Sequence, residues 1–257
     1  MPEDVVHPRA LFDLAGRVVC VTGASSGLGR RAALALAAAG ARVVGVARRA
    51  EALDTLKGEI GAAAATVTAD VAERDGIAAL GEAIAAPFGA PDILVHAAGV
   101  NTRQPADEVT AEGWDKTLSL NLSAPFFLSQ ALVPAMKEKG WGRIVTFASL
   151  QTTRAFPGGI AYGASKGGVA QLTRAMAEAW SRHGITANAI GPGFFPTELT
   201  QAVFGDPDLA ARNAAQTCIG RNGRMEDLDG PLLFLCSEAS AYVTGQVLMV
   251  DGGYTAK

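Results

Sequence analysis

The chain has 257 residues, 49% of them hydrophobic and 18% charged, with a formal net charge of −3 at pH 7. That length fits one large α/β domain or two small ones with ample apolar material for a core, and the slight acidity argues against a basic face suited to nucleic acid. The Ala-rich run at residues 31–39 is short and ends at Gly40 and Arg42, so no membrane-spanning segment is expected.

Residues 1–12 read as an N-terminal tail. Glu3, Asp4 and Asp13 stand where a secretory signal would place basic and then apolar residues, which makes a cytoplasmic protein the expectation. Next, Arg17-Val18-Val19-Cys20-Val21 is a β-branched run leading into Thr22-Gly23-Ala24-Ser25-Ser26-Gly27-Leu28-Gly29 and a long Ala/Leu helix. A glycine-rich turn between strand and helix lets backbone amides approach a pyrophosphate at the positive helix end, where side chains at Gly23, Gly27 or Gly29 would obstruct it. The second strand, residues 42–46, runs into Ala47-Arg48-Arg49. About twenty residues past the glycines, an acidic group would hold the adenosine ribose hydroxyls of NAD. Here two guanidinium groups stand instead, suited to a phosphate on that ribose. NADP is therefore expected over NAD, the bland alternative being a solvated helix start.

A third strand at residues 65–68 ends in Asp70-Val71. The Asp70 carboxylate either accepts from an adenine amino group or caps the following helix, and the residues alone favour the cap. The fourth strand is Ile93-Leu94-Val95-His96-Ala97-Ala98-Gly99. Residues 111–139 read as one long helix containing Pro125, with Asn121 set among Leu118, Leu120, Leu122, Phe126 and Phe127. A buried amide there must be hydrogen-bonded, so Asn121 is either a structural bridge or part of a site.

The fifth strand, Ile144-Val145-Thr146-Phe147-Ala148, ends at Ser149, and Tyr162-Gly163-Ala164-Ser165-Lys166 then opens a helix marked by Val169, Leu172, Thr173 and Met176. Tyr162 and Lys166, at i and i+4, are neighbours on one helix face. A phenol titrates near ~10, and an adjacent ammonium favours the phenolate. The pair is thus a candidate general acid/base, with Ser149 supplying a second hydrogen bond to the same substrate oxygen. Such pairs are also common on solvated helix faces, so the assignment rests on the rest of the chain.

Residues 186–190 form another strand, which runs into Gly191-Pro192-Gly193-Phe194-Phe195-Pro196-Thr197. From 198 to 225 the periodicity is weak and turn formers recur, so about 194–225 is expected to be a mobile flap over the site. A helix near 227–237 and a last buried strand within 243–253 complete the chain. Strands alternate with helices, and no linker or repeat divides them. This specifies one doubly wound parallel sheet over residues 1–257, with ligands at the strands' carboxyl ends. Cys20, Cys218 and Cys236 are odd in number and widely spaced, reading as buried thiols. His7, His96 and His183 show no ligand spacing, and no metal site is expected.

Together these residues resemble the short-chain dehydrogenase/reductase family from about Leu11 to Gly253. The loop 22–29 is similar to the family's T-G-x-x-x-G-x-G, with Leu28 where Ile is frequent. Asn121, Ser149, Tyr162 and Lys166 fall on its catalytic tetrad, and Val250-Asp251-Gly252-Gly253 on its C-terminal signature. The resemblance implies a Rossmann domain with a parallel seven-stranded sheet and helices on both faces. Its cofactor site would comprise Gly23, Ser25, Ser26, Gly27, Leu28 and Gly29 at the pyrophosphate, and Arg48 and Arg49 at the ribose. Asp70 and Val71 would lie at the adenine, and Ala97, Ala98, Gly99, Pro192, Gly193, Phe195 and Thr197 towards the nicotinamide, beside Tyr162 and Lys166. Where the family usually has N-N-A-G, this chain has His96-Ala97-Ala98-Gly99, and His96 is expected to replace a structural hydrogen bond.

The implied reaction passes a hydride between nicotinamide and a carbonyl carbon while Tyr162 exchanges the oxygen's proton. Lys166 would lower the tyrosine's pKa and hold the ribose, Ser149 would orient the oxygen, and Asn121 would position Lys166 through a water. With NADP, carbonyl reduction is the expected direction; an NAD-linked alcohol dehydrogenase and a non-catalytic nucleotide-sensing protein are the alternatives. Asn101, Arg103, Gln151, Arg154, Phe156, Phe194 and Phe195 are expected at the substrate mouth, the two arginines suiting a carboxylate or polyol. The C-terminal third is most similar to gluconate 5-dehydrogenases and 3-oxoacyl carrier-protein reductases, which points to a ketone or keto-sugar acid. The family's habit of pairing the helices at 111–139 and 161–182 implies a homotetramer or homodimer.

Overall fold

The computed structural model describes residues 7–257. Most of the expected tail, residues 1–6, lies outside them; of the remainder, α1 (Pro8–Leu11) is a single helical turn. The chain then alternates as β1 (Val18–Thr22), α2 (Gly27–Ala38), β2 (Arg42–Ala47), α3 (Ala50–Ile60), β3 (Ala64–Thr68), α4 (Ile77–Ala85) and β4 (Ile93–His96). It continues through α5 (Ala111–Leu118), α6 (Ala124–Lys139), β5 (Gly142–Phe147), α7 (Ile160–Trp180) and β6 (Ile185–Pro192). Two short helices follow, α8 (Gln201–Phe204) and α9 (Pro207–Gln216), before α10 (Asp229–Cys236) and β7 (Val247–Val250).

All seven strands pair in parallel, in the order β3-β2-β1-β4-β5-β6-β7. The β-branched runs bury both faces, as parallel strands covered by helices must. On β1, Val19 and Val21 face a core shared with Ala33 and Leu36 of α2, Leu53 and Leu56 of α3, and Leu232 and Leu235 of α10. The alternate residues Val18 and Cys20 face the other layer, against Ile84 of α4, Leu128 and Met136 of α6, and Met176 of α7. Strand order reverses between β1 and its two neighbours β2 and β4, and the crevice at the carboxyl ends there is where doubly wound sheets take ligands.

Two elements depart from the sequence expectation. The helix at 111–139 is broken by a π turn, Ser119–Ser123, between α5 and α6. Pro125 has no N–H for the carbonyl of Asn121 four residues back, so the α register cannot pass through this point unbroken. The 29-residue stretch Ala111–Lys139 is long and apolar enough to cross a membrane by length and composition. Here it lies on the sheet, with Leu128, Leu132, Val133 and Met136 buried. The last strand is not a buried one: β7 pairs only with β6, so Leu248 is 37% exposed at the sheet edge. Among the cysteines, Cys20 and Cys236 are buried as expected and Cys218 is exposed.

Candidate active site

A cleft of about 750 Å³ opens at the carboxyl ends of the strands. It is lined by the glycine loop, the ends of β2, β4, β5 and β6, the start of α7 and the flap. Every cofactor-site residue expected from the sequence lines it, as do Ser149, Tyr162 and Lys166. Asn121 stands behind the wall rather than on it.

The catalytic candidates are set by short links from neighbouring elements. Ser149 ends β5 in extended conformation; its N–H donates to Thr152 Oγ1 at 3.2 Å, and its own Oγ accepts from the N–H of Gln151 at 3.1 Å. Thr152 Oγ1 in turn donates to the carbonyl of Lys166 at 3.4 Å, tying the β5 end to α7. Lys166 is buried at the cleft wall and its Nζ donates to the Phe147 carbonyl at 2.6 Å. An ammonium has three donors, which leaves two for the cleft. Its nitrogen lies 5.6 Å from the Tyr162 ring centroid.

Burial governs the titration of both groups. It pulls Lys166 from 10.5 down to about 8 and pushes the Tyr162 phenol above its usual range. Against that push, the Ser149 hydroxyl and the positive charge of Arg103 favour the phenolate. Ser149 and Arg103 are thus groups that favour the phenolate here, and Lys166, expected from the i, i+4 spacing to do so, stands beside the same ring.

Asn121, in the π turn and 1% exposed, is a bridge with three bonds. Its Oδ1 accepts from the N–H of Val100 at 2.8 Å, and its Nδ2 donates to the Val100 carbonyl at 2.9 Å and to Ser165 Oγ at 3.0 Å. Ser165 Oγ donates onward to the Tyr162 carbonyl at 2.7 Å. One amide therefore fixes the loop following β4 and the start of α7 together. A side chain at Gly99 would begin 3.3 Å from Asn121 Oδ1 and 4.0 Å from Lys166 Nζ, which shows how close the two lie. His96 occupies a separate position: its Nε2 is 2.8 Å from Ser129 Oγ of α6, and burial lowers its pKa to about 4. It is a neutral brace between β4 and α6, a structural hydrogen bond as expected.

The cofactor side fits a dinucleotide. A Cβ at Gly23 would meet the backbone nitrogen of Ala98 at 2.7 Å, and one at Gly29 would run into the carbonyl oxygen of Gly23. Only glycine allows that backbone to lie so close. The N-cap of α2 is Ser26, whose side chain makes no capping bond, so the first-turn amides remain available to a phosphate. Asp70 lines the cleft at the end of β3; its Oδ1 accepts from the N–H of Ala72 at 3.0 Å, a turn bond rather than a helix cap. Its Oδ2 is 3.5 Å from Arg48 Nη1. Arg48 is largely exposed, while Arg49 is bonded to Ser25, Ser26 and Glu198. Thr197 packs against the glycine loop, 3.3 Å from where a Cβ of Gly27 would stand.

Of the residues expected at the substrate mouth, Asn101, Arg103, Gln151, Phe156, Phe194 and Phe195 line the cleft. Phe195 does so from the core, at 2% exposure. Arg154 is not brought there: it donates to the carbonyl of Lys257 instead. Sequence reasoning missed Glu198, Leu199 and Asn213, all on the cleft, and Tyr254, whose ring meets Phe194 edge to face at 5.8 Å. No local pattern marks these residues, which reach the site only through the fold.

A parallel doubly wound sheet, a glycine cradle at the first helix and a Ser-Tyr-Lys cluster facing it define an oxidoreductase of alcohol and carbonyl groups. The family model described as enoyl-(acyl carrier protein) reductase matches residues 23–255, and the chain belongs to the short-chain dehydrogenase/reductase family. It is 42% identical over 252 residues to gluconate 5-dehydrogenase of Gluconobacter oxydans, covering 97% of this chain and 98% of that one. It is 40% identical to 2-dehydro-3-deoxy-D-gluconate 5-dehydrogenase of Escherichia coli, covering 96% and 98%. A gluconate 5-dehydrogenase from Burkholderia cenocepacia, solved with NADP and tartrate, superposes with a TM-score of 0.93 at 38% identity, covering 98% of this chain and 100% of that one.

Proposed function

We propose that this chain is an NADPH-linked enzyme that interconverts a keto-sugar acid and its hydroxy acid. The observation that carries the reading is Arg103, whose guanidinium lines the cleft and lies near enough to Tyr162 to favour the phenolate. A substrate carboxylate can pair with that guanidinium while a carbonyl further along the same chain reaches Tyr162 and Ser149. The sugar-acid relatives, and the one complexed with NADP and tartrate, support the same substrate class and cofactor.

When bound, the cofactor supplies the hydride that reduces the carbonyl carbon. The glycine loop and the α2 amides hold its pyrophosphate, Arg48 and Arg49 its 2′-phosphate, and Asp70 and Val71 flank its adenine. Ala97, Ala98, Gly99, Pro192, Gly193, Phe195 and Thr197 receive the nicotinamide end. Tyr162 gives its proton to the substrate oxygen in reduction and takes it back in oxidation, and Ser149 donates to that same oxygen. Lys166 steadies the phenolate and holds the nicotinamide ribose. Asn121 is a positioning residue, acting through Val100 and Ser165.

The whole chain acts as one domain, with about 194–225 as its flap. In this reading the enzyme works in the cytoplasm. A homotetramer formed through the helices at 111–139 and 161–182 would cover half-buried apolar side chains such as Leu122 and Phe126.

The test is steady-state kinetics with NADPH on a 5-keto-hexonate and on an uncharged ketose of equal length. Arg103→Gln should raise KM for the acid by about tenfold to a hundredfold, the range for loss of one hydrogen bond to a charged group, and change KM for the ketose by less than about threefold. Equal effects on both substrates would remove the carboxylate role and with it the sugar-acid reading.

A further inference from the structure

The Arg49 guanidinium is held by two serines and one carboxylate. Its Nε and Nη2 donate to Ser25 Oγ at 3.2 and 3.1 Å, and Nη2 also donates to Ser26 Oγ at 2.6 Å. Nη1 and Nη2 grip Glu198 Oε1 and Oε2 at 2.8 and 3.1 Å, and Ser26 Oγ donates to Oε2 at 3.0 Å. A carboxylate thus sits, bidentate, on the donors that the glycine loop and the end of β2 would offer to a phosphate on the adenosine ribose. Arg48 beside it is different. It is 68% exposed and pairs loosely with Asp70, at 3.5 Å.

We propose that Glu198 sets cofactor selectivity from the flap: its carboxylate fills the anion slot made by Arg49, Ser25 and Ser26, so the 2′-phosphate of NADPH enters only by displacing it. The inference rests on the NADPH reading above and deepens it. The free 2′-hydroxyl of NADH carries no charge to compete for Arg49, and it can donate to the carboxylate already there. Glu198 then acts as the acidic ribose ligand that the end of β2 lacks. The slot favours the ionised acid, since the hydrogen bond from Arg49 holds the Glu198 carboxyl below the ordinary range, aided by Ser26. The pair is also open to displacement, with side chains 51% and 63% exposed; exposed pairs are weak and screened by solvent. A phosphate dianion, with more charge and three acceptor oxygens, outcompetes a carboxylate for the same fork, but less tightly than if the slot were vacant.

The chain is therefore tuned to accept NADPH while retaining measurable use of NADH. Glu198 opens the turn Glu198–Thr200, whose Leu199 carbonyl accepts from Arg103 Nη2 at 2.5 Å. The same turn thus touches both Arg49, at the cofactor phosphate, and Arg103, at the substrate carboxylate. A residue that merely strapped the flap shut would affect both cofactors alike, which gives the test its readout.

The experiment is fluorescence titration of NADPH and NADH against wild type, Glu198→Gln, Arg49→Gln and the double variant. Glu198→Gln is expected to lower the Kd for NADPH about three- to tenfold, the range for loss of one exposed competing pair reinforced by a hydroxyl. It should leave the Kd for NADH unchanged or raise it, and its effect on NADPH should shrink in the Arg49→Gln background. Arg49→Gln alone tests the cofactor reading and should weaken NADPH at least about tenfold more than NADH. A cofactor ratio unmoved by Arg49→Gln would remove the NADPH reading and this proposal together. A ratio moved by Arg49→Gln while Glu198→Gln shifts both cofactors equally, or neither, would overturn the proposal alone.

Discussion

Lys166 is held in the fold at a cost. Its ammonium titrates at about 8 in the folded protein against 10.5 for the free side chain. Between those values the unfolded chain binds more protons than the folded one, so stability rises with pH from 8 to 10.5. Below pH 8 the full penalty applies, about 3 kcal/mol by the shift, partly offset by the bond to Phe147. Lys166→Met should therefore raise the unfolding free energy at pH 7 by about 1 to 3 kcal/mol, with the gain fading as pH approaches 10, and should abolish turnover. Urea denaturation at pH 7 and pH 10 checks this; a less stable variant at pH 7 would contradict it. Tyr162, Lys166 and Ser149 were legible in the sequence because helical spacing and a strand end place them. Glu198 was not, since its bonds to Arg49 span 149 residues and nothing local distinguishes it from any flap acid.

The π turn carries the structural weight at the scale of the element. Asn121 supplies both halves of the hydrogen bonding of Val100 and one bond to Ser165. Truncation would leave the part-buried N–H and carbonyl of Val100 without their protein partners, each costing up to about 1 to 3 kcal/mol. Asn121→Ala is accordingly expected to destabilise the protein by about 2 to 4 kcal/mol in urea denaturation and to lower kcat. A stability change under about 0.5 kcal/mol would mean that water replaces the amide without loss. Sequence periodicity read residues 111–139 as one helix because a one-residue change of register leaves the apolar pattern nearly intact; Pro125 and the polar Asn121 were its only local traces. The flap was read as irregular for a similar reason. Its helices α8 and α9 have 4 and 10 residues, too short for an apolar stripe to stand out.

Across the whole molecule, the alternation of β-branched strands and helices made the doubly wound sheet legible, and the glycine loop located its ligand edge. The half-exposed edge at β7 was not legible: an apolar run has the same composition whether one neighbour covers it or two. What the fold adds is convergence. β2 brings Arg49, the β4 loop brings Arg103, and the turn after β6 brings Glu198 and Leu199 to bond with them. In the proposed function the cofactor and substrate ends of one cleft meet under this turn, and Tyr162 between them is the proton donor to the substrate oxygen.

Tyr162→Phe tests that assignment most directly, with NADPH affinity measured by fluorescence and turnover of a 5-keto-hexonate measured on the same preparation. The expected result is a Kd within about twofold of wild type and a kcat lower by about a hundredfold to ten-thousandfold, the range for loss of a general acid. Near-normal turnover with intact binding would contradict it and move the proton donor elsewhere in the cleft.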